Sequence, residues 1–173
     1  GFFFRDQVVH IVGGGDTAME ESTFLAKFAS KVYVLHRRDG LRASKTMQQR
    51  AFNNEKIEFI WNTEVKEILF DDTGVTGLQV YNNQTGETTT RKTDGFFLAI
   101  GHKPNTDFLK DTPIQMDDHG FVITQGRHPD TNVTGVFACG DVQDSYYRQA
   151  VTAAGSGCQA AMRAERFLAE IES

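Results

Sequence analysis

Apolar residues in the first part of the chain occur mostly in short unbroken runs, separated by stretches with helical spacing. Unbroken runs rich in β-branched residues are typical of parallel strands that are buried on both faces. Between the first three runs lie two helical patterns, over residues 16–29 and 44–52. This alternation predicts a βαβαβ unit that builds a parallel sheet. The runs cover residues 8–12, 32–35, 57–61 and 95–101.

The period of the pattern changes to two between residues 63 and 91. Apolar and polar residues alternate there, with turn residues near 72–74 and 83–86, which predicts an antiparallel β-meander. Later in the chain, the spacing predicts a buried strand over residues 136–139 and a long helix over about 148–171.

The chain has 173 residues, of which 39% are hydrophobic and 24% charged, and its net charge is −5. This mixture is typical of a globular protein and excludes disordered classes. The acidic balance argues against a nucleic-acid partner, and no apolar run approaches the ~20 residues that a membrane span needs. Two cysteines without disulfide-rich spacing predict a reducing, cytoplasmic compartment. The scattered histidines predict no metal site.

A glycine motif follows the first apolar run, since Gly13, Gly15 and Ala18 fit the pattern G-x-G-x-x-G/A. Gly13 permits a tight turn, Gly15 lets backbone amides approach a pyrophosphate, and Ala18 permits close packing of helix on strand. Asp16 and Thr17 are good N-cap residues for the helix, whose N-terminus favours phosphate. A purely structural turn is the alternative. Because the motif lies between a strand and a helix, it predicts a Rossmann-like dinucleotide-binding fold.

A basic segment follows the second predicted strand. Residues 36–45 contain one histidine, three arginines and one lysine, against a single acidic residue. An NAD-binding protein would carry Asp or Glu here to bind the ribose 2′-hydroxyl, whereas a guanidinium group can bind the 2′-phosphate of NADP in bidentate fashion. A solvated basic turn is the alternative. The segment therefore favours NADP, with His36, Arg37, Arg38 and Arg42 as candidate residues.

A second candidate motif consists of Gly140 and Asp141, just past a buried apolar run. Ligands of α/β folds bind beyond the carboxyl ends of strands, where the Asp141 carboxylate could accept hydrogen bonds from a polyol chain. Arg148, Gln149 and Ala150 open a helix rich in small residues, which would let its backbone approach a flat ring. These residues indicate part of a flavin site, with a helix cap or turn as the alternative role for Asp141.

Several motifs together resemble those of the low-molecular-weight thioredoxin reductases. They lie at residues 13–18, 36–43, 99–105, 135–142 and 147–150. The resemblance covers essentially the whole chain and implies an α/β architecture in three layers, with a parallel sheet and an antiparallel meander. It places an NADPH-binding domain at residues 1–100, a hinge at 101–105 and the C-terminal part of a second, FAD-binding dinucleotide fold at 106–173.

The resemblance also implies an enzyme that passes a hydride from NADPH through FAD to a redox dithiol and then reduces thioredoxin. Such an enzyme would be a homodimer. The three arginines would bind the 2′-phosphate of NADPH, Asp141 the ribityl chain of FAD, and residues 148–150 the flavin ring. The implied cofactor-binding residues are Gly13, Gly15, Asp16, Thr17, Ala18, His36, Arg37, Arg38, Arg42, Ile100, Gly101, Gly140, Asp141, Arg148, Gln149 and Ala150.

The sequence departs from that family in lacking the Cys-x-x-Cys dithiol, which members carry just before the position of Gly1. We therefore expect a fragment of a longer protein that begins just after this motif, has no catalytic residue of its own and is inactive in disulfide reduction. Cys139 and Cys158 are too far apart to replace the dithiol, and we interpret both as packing thiols. The alternatives are a thioredoxin-reductase-like ferredoxin or flavodoxin reductase, which needs no dithiol, and a non-enzymatic NADP-binding fragment.

Overall fold

The computed structural model describes residues 1–172, which divide into a first unit, Gly1–Gly101, and a second unit that begins at His102. All the named strands and the first two helices lie in the first unit. They are β1 Val8–Gly13, α1 Asp16–Leu25, β2 Lys31–Leu35, α2 Lys45–Phe52, β3 Ile57–Ile60, β4 Thr63–Asp71, β5 Gly74–Asn82, β6 Thr88–Lys92 and β7 Gly95–Ala99.

Four strands of the first unit form a parallel sheet in the order β3-β2-β1-β7. In its register, Ile11 of β1 lies opposite Val34 of β2 on one side and Phe97 of β7 on the other. Because all four strands run the same way, their carboxyl ends meet at one edge of the sheet, where α/β folds bind ligands. The predicted βαβαβ unit and its parallel sheet are confirmed.

The two faces of this sheet are covered by different layers. On one face, Val9, Ile11, Val32 and Val34 are fully buried and pack with residues of α1 and α2. On the other face, Leu35 packs with Leu78 and Val80 of β5 and with partly buried neighbours. Side chains on the two faces of β1 therefore pack into two different cores. The predicted three-layer α/β fold is confirmed.

The layer on the second face is an antiparallel sheet in the order β4-β5-β6. The β4–β5 pair runs from Thr63 opposite Asn82 to Asp71 opposite Gly74, with register shifts on the way. This is the predicted meander, with its turns at the predicted positions.

The boundaries of α1 differ from the predicted ones. The helix starts at Asp16 with Gly15 as its N-cap, so the prediction that Asp16 and Thr17 cap the helix is wrong. The helix ends at Leu25, not near residue 29, because the N–H of Lys27 bonds to the carbonyl of Phe24, three residues back, instead of the carbonyl four residues back. The residues after Leu25 therefore form a hydrogen-bonded turn instead of the last turn of the predicted helix.

The second unit is built around one long helix, α3 Ala150–Glu172. Short 3-10 helices lie at Asp107–Leu109 and Gly140–Val142. The predicted strand at residues 136–139 is wrong. Within the described residues, this stretch forms only one isolated bridge, between Phe137 and Asp130. An apolar run without a neighbouring strand to pair with does not build a ladder. Among residues 1–172, no helix combines the length and the apolar character needed to cross a membrane.

Candidate dinucleotide-binding site

A groove with a volume of about 600 Å³ opens at the carboxyl edge of the parallel sheet. Its walls come from the ends of β1, β2 and β7 and from the start of β4. The predicted residues that line it are Gly13, Gly15, Thr17, His36, Arg37, Arg42, Ile100 and Gly101. The fold therefore brings the glycine motif and part of the basic segment together in one groove.

Residues 13–15 form the glycine turn between β1 and α1, and its outer two glycines have different physical roles. A Cβ on Gly13 would overlap the carbonyl oxygen of Ala99 and lie 2.6 Å from the Cβ of Ala18. A Cβ on Gly15 would meet nothing within 4 Å. Gly13 is therefore required by the packing of strand and helix, whereas Gly15 leaves open space for a group that approaches the backbone closely.

The middle glycine of the turn packs against His36, a contact that the sequence analysis missed. A Cβ on Gly14 would overlap the His36 imidazole ring, which is itself buried. The ring Nε2 lies 3.1 Å from the carbonyl oxygen of Gly40. Burial lowers the pKa of His36 below its ordinary value, against the opposing effect of hydrogen bonds to the Gly40 and Gly13 backbone. His36 therefore packs against the glycine turn, and its lowered pKa favours the neutral ring.

The basic segment, residues 36–45, forms a turn that we call the arginine turn, and it is fixed directly to the glycine turn. The N–H groups of Arg42 and Ala43 donate to the Gly14 carbonyl, at 2.7 and 3.0 Å. The N–H of Ser44 donates to the Asp16 carboxylate at 2.8 Å. These bonds place Arg42 at the groove without any contribution from its own side chain.

Three predicted residues of the first unit lie outside the lining of the groove. Ala18 is fully buried and packs under Gly13, as its predicted role in helix–strand packing requires. The Asp16 carboxylate accepts the bond from Ser44. Arg38 is exposed on the arginine turn, next to the lining residue Arg37.

Glu64 lines the groove and was not predicted. Its carboxylate forms an ion pair with the Lys66 ammonium group at 3.0 Å. Hydrogen bonds from the side chains of Lys66 and Asn83 lower the pKa of Glu64, and the positive charges of Lys66 and Arg37 add to the effect. In the sequence, Glu64 is one polar position of an alternating strand, so no local signal distinguishes it from a solvent-facing residue.

The chemistry of this lining suits an anionic nucleotide. Arg37 and Arg42 supply guanidinium groups, each able to bind a phosphate through two parallel N–H donors. The N-terminus of α1 adds free backbone N–H groups and a partial positive charge beside Gly15. The two arginines outnumber Glu64, the acidic residue of the lining.

The candidate flavin residues of the second unit lie in and after the turn that precedes α3. Gly140 and Asp141 belong to a 3-10 turn, and the Gly140 N–H donates to the Ser156 hydroxyl on α3 at 3.0 Å. Asp141 is exposed, as are Gln149 and Ala150. Arg148 adopts a left-handed backbone conformation with φ of 49°, which is uncommon for a residue other than glycine and frequent at binding sites.

Asp144 organises this turn and was missed by the sequence analysis. Its carboxylate accepts hydrogen bonds from the N–H groups of Tyr146, Tyr147 and Arg148, at 3.1, 2.8 and 2.8 Å, and from the Thr152 hydroxyl at 3.2 Å. Burial alone would raise the pKa of Asp144, but these hydrogen bonds outweigh it and hold the pKa below its usual value. The left-handed Arg148 is therefore fixed by the Asp144 carboxylate.

The two cysteines are free thiols in different environments. Cys139 is partly buried, whereas Cys158 is exposed on α3, so its interpretation as a packing thiol is wrong in the described residues. Small residues along α3 indicated close packing around Cys158, but its side chain is exposed to solvent. Within residues 1–172, no group of three His, Cys, Asp or Glu side chains could hold a metal ion.

A parallel sheet with a glycine turn and an arginine turn at its carboxyl edge defines a dinucleotide-binding fold of the Rossmann type. Comparison with known families identifies the kind of dinucleotide-binding protein. The family model of the pyridine nucleotide-disulphide oxidoreductases matches residues 4–157, and the chain belongs to that family.

Relatives within this family are thioredoxin reductases. The chain is 54% identical to the thioredoxin reductase of Chlamydia pneumoniae over 165 residues, which are 95% of this chain and 52% of the relative. It is 54% identical to thioredoxin reductase 2 of Arabidopsis thaliana, with 98% of this chain and 45% of the relative covered. The chain thus spans about half the length of the curated relatives it matches.

Solved structures show the same relationship. The crystal structure of thioredoxin reductase from Streptococcus pyogenes superimposes with a TM-score of 0.86 at 44% identity, covering 98% of this chain and 55% of that one. The thioredoxin reductase from Giardia duodenalis superimposes with a TM-score of 0.81 at 43% identity, covering 95% and 54%.

Proposed function

We propose that this chain is part of a thioredoxin reductase, in which the first unit binds NADPH and the second unit belongs to the FAD-binding fold. When bound, these two cofactors supply hydride transfer toward a dithiol that reduces thioredoxin. The observation that carries the proposal is the groove in which the open side of Gly15 and the guanidinium-bearing residues Arg37 and Arg42 share one lining. The relatives and solved structures support the same function.

In the first unit, the proposed roles follow from position. The backbone at Gly15 and the N-terminus of α1 would bind the pyrophosphate, because a Cβ on Gly15 would meet nothing within 4 Å and the first turn of a helix leaves N–H groups unpaired. Arg37 and Arg42 would bind the 2′-phosphate through charge-assisted hydrogen bonds. Thr17, Ile100 and Gly101 would complete the wall of the groove.

In the second unit, the surface around the start of α3 would accommodate a flat ring. A Cβ on Gly155 or Gly157 would meet nothing within 4 Å, so this part of α3 is open to a closely approaching group. The exposed Asp141 carboxylate would accept hydrogen bonds from a polyol chain. Arg148, Gln149 and Ala150 would contact the ring, with Asp144 positioning the first of them.

The proposed domain arrangement assigns residues 1–100 to the NADPH domain, 101–105 to a hinge and 106–173 to the FAD domain. Cys139 and Cys158 are nineteen residues apart and do not have the spacing of a Cys-x-x-Cys dithiol, so we assign the redox dithiol to a part of the protein outside this sequence. The resemblance to the low-molecular-weight enzymes further supports a homodimer acting in the cytoplasm, which sedimentation of the intact protein and cell fractionation would test.

The nucleotide assignment is tested by equilibrium binding of NADPH and NADH to the full chain and to variants Arg37→Ala and Arg42→Ala. Each substitution removes a charge-assisted contact worth roughly 1.5–3 kcal/mol. We therefore expect about ten- to hundredfold weaker NADPH binding, with little change for NADH. Arg50→Ala is the matched control, because Arg50 is exposed on α2 and does not line the groove. Equal losses for both nucleotides would contradict the assignment to the 2′-phosphate.

The activity assignment is tested by NADPH oxidation in the presence of FAD and thioredoxin. The chain alone is expected to show no sustained turnover, because its two cysteines do not have the Cys-x-x-Cys spacing of the dithiol. The intact protein is expected to turn over. Sustained thioredoxin reduction by the chain alone would contradict the assignment of the dithiol to another part of the protein.

A further inference from the structure

The start of the arginine turn is held from outside by bonds to its backbone carbonyls. The N–H of Thr63 donates to the carbonyl of His36 at 2.9 Å, and the N–H of Asn62 donates to the carbonyl of Arg38 at 3.3 Å. Both donors lie where β3 passes into β4. These two bonds are formed by backbone groups, so they do not depend on the identity of the donor side chains.

The carbonyl between these two belongs to Arg37, and it is held by a side chain. The Asn83 Nδ2 atom donates to the Arg37 carbonyl at 2.8 Å, across a separation of 46 residues. The N–H of Asn83 donates to the carbonyl of Asn62 at 2.8 Å, which places Asn83 against the same junction. The Asn83 side chain also acts on the Glu64 carboxylate, whose pKa it lowers. One amide thus connects the arginine turn to an acidic residue of the groove.

We propose that Asn83 is a positioning residue for recognition of a dinucleotide that carries a 2′-phosphate. This inference rests on the proposed function, because it presupposes that Arg37 and Arg42 bind that phosphate. Arg42 is located by the bond from its own N–H to Gly14. At the other end of the turn, the Asn83 amide is the side-chain group that holds Arg37.

A bidentate contact requires the backbone of Arg37 to be fixed, because a guanidinium group stands on a long, flexible side chain. Productive geometry at a binding site tolerates displacements of only about 0.5 Å. Without the Asn83 amide, the Arg37 carbonyl loses its side-chain donor. Glu64 can also attract the less restrained Arg37 side chain away from a phosphate, because the charge of Arg37 already acts on this carboxylate. Both effects weaken the grip on a phosphate and leave the rest of the nucleotide site unchanged.

The test is equilibrium binding of NADPH and NADH to the full chain, with Asn83→Ala, Asn83→Asp and the control Gln84→Ala. Asn83→Asp conserves the size of the side chain but replaces the amide donor with a negatively charged acceptor, so Asn83→Ala is the variant that removes the hydrogen bond without adding a charge. Gln84 is the exposed neighbour of Asn83 on the β5–β6 turn. Loss of a solvent-accessible hydrogen bond corresponds to about three- to tenfold weaker binding. We expect that loss for NADPH with both Asn83 variants, no more than about a twofold change for NADH, and a thermal midpoint lowered by no more than a few degrees.

The outcomes separate this inference from the proposed function. A wild-type chain that binds NADPH no better than NADH would overturn the proposed function and the inference with it. A wild-type preference that Arg37→Ala abolishes but Asn83→Ala and Asn83→Asp leave intact would overturn the inference alone. Equal weakening of both nucleotides with a thermal midpoint lowered by more than a few degrees would assign Asn83 a structural role and would also overturn it. A normal affinity for Asn83→Asp beside a weakened Asn83→Ala would show that the amide donor is not required.

Discussion

His10 makes the first unit sensitive to mild acid. Its side chain is almost fully buried in β1, where the imidazole stacks on the ring of Tyr33 with 4.8 Å between centroids. Neither ring nitrogen has a hydrogen-bond partner among the described residues. Burial, and to a smaller extent the positive charge of Arg91, lower the pKa of His10 from 6.5 to about 4.

The direction of the pH effect follows from the two pKa values. Between pH 6.5 and about 4, the unfolded chain binds a proton at His10 that the folded chain does not bind. The free energy of unfolding therefore falls as the pH falls through this window. The pKa difference corresponds to a loss of about 2 kcal/mol between pH 7 and pH 5, and of about 3 kcal/mol once the pH is below 4.

The assay is chemical denaturation at pH 7 and pH 5, comparing the wild-type chain with His10→Phe. Phenylalanine retains an aromatic ring against Tyr33 and cannot be protonated. The single tryptophan, Trp61, follows β3 and reports on the first unit by its fluorescence. We expect the wild type to lose about 2 kcal/mol more than the variant over this pH range.

Other titrating groups do not produce this difference. His36 also has a lowered pKa, but it is present in both proteins, so its contribution cancels. Carboxylates such as Glu64 and Asp71 have lowered pKa values, so their ionised forms stabilise the fold at pH values above their ordinary pKa. That stabilisation is lost mainly below pH 5. If both proteins lost the same free energy between pH 7 and pH 5, the neutral state of buried His10 would be refuted.

Three further outcomes follow from the site. Gly13→Ala should lower the free energy of unfolding by about 1–3 kcal/mol, because its Cβ would overlap backbone. Gly15→Ala should lower it by less than about 1 kcal/mol and yet weaken the binding of both nucleotides about tenfold or more. Denaturation and binding measured on both variants would show that Gly13 matters more for stability and Gly15 more for binding. Raising the salt concentration from 0.05 to 0.5 M should weaken NADPH binding several-fold and NADH binding less, and an equal dependence would argue against an arginine-bound phosphate. Asp144→Ala should speed hydrogen exchange at the amides of Tyr147 and Arg148 about tenfold, since it removes their shared acceptor, and unchanged exchange would contradict that role.

Local patterns were sufficient to predict the parallel strands, the meander and the position of the glycine turn. An unbroken apolar run forms a buried strand when both faces of its sheet are covered. In this chain, helices cover one face of the parallel sheet and β5 covers the other. The same reasoning failed at residues 136–139, because an apolar run becomes a strand only when another strand lies beside it. It also misplaced the end of α1, where a change in hydrogen bonding leaves no mark on the hydrophobic pattern.

The details of the site depended on contacts between residues distant in the sequence, which explains what was missed. Asp16 was assigned a local cap, but its carboxylate bonds to Ser44, 28 residues away. Asn83 was seen only as part of a turn, and its amide reaches Arg37. A polar residue can satisfy its hydrogen bonds in many ways, so its partner is decided by tertiary structure.

The pairing of β1 with β7 has a consequence for biosynthesis. As the polypeptide leaves the ribosome, β1 can pair with β2 early, but its other side stays an unpaired edge until residues 95–99 emerge. Asp94 then anchors the late strand, because its carboxylate accepts from the N–H of Val8 at 2.8 Å. The same pairing brings Gly13 beside the Ala99 carbonyl. A nascent chain whose emerged part ends at residue 92 should therefore bind no nucleotide, whereas one whose emerged part includes residue 101 should bind it.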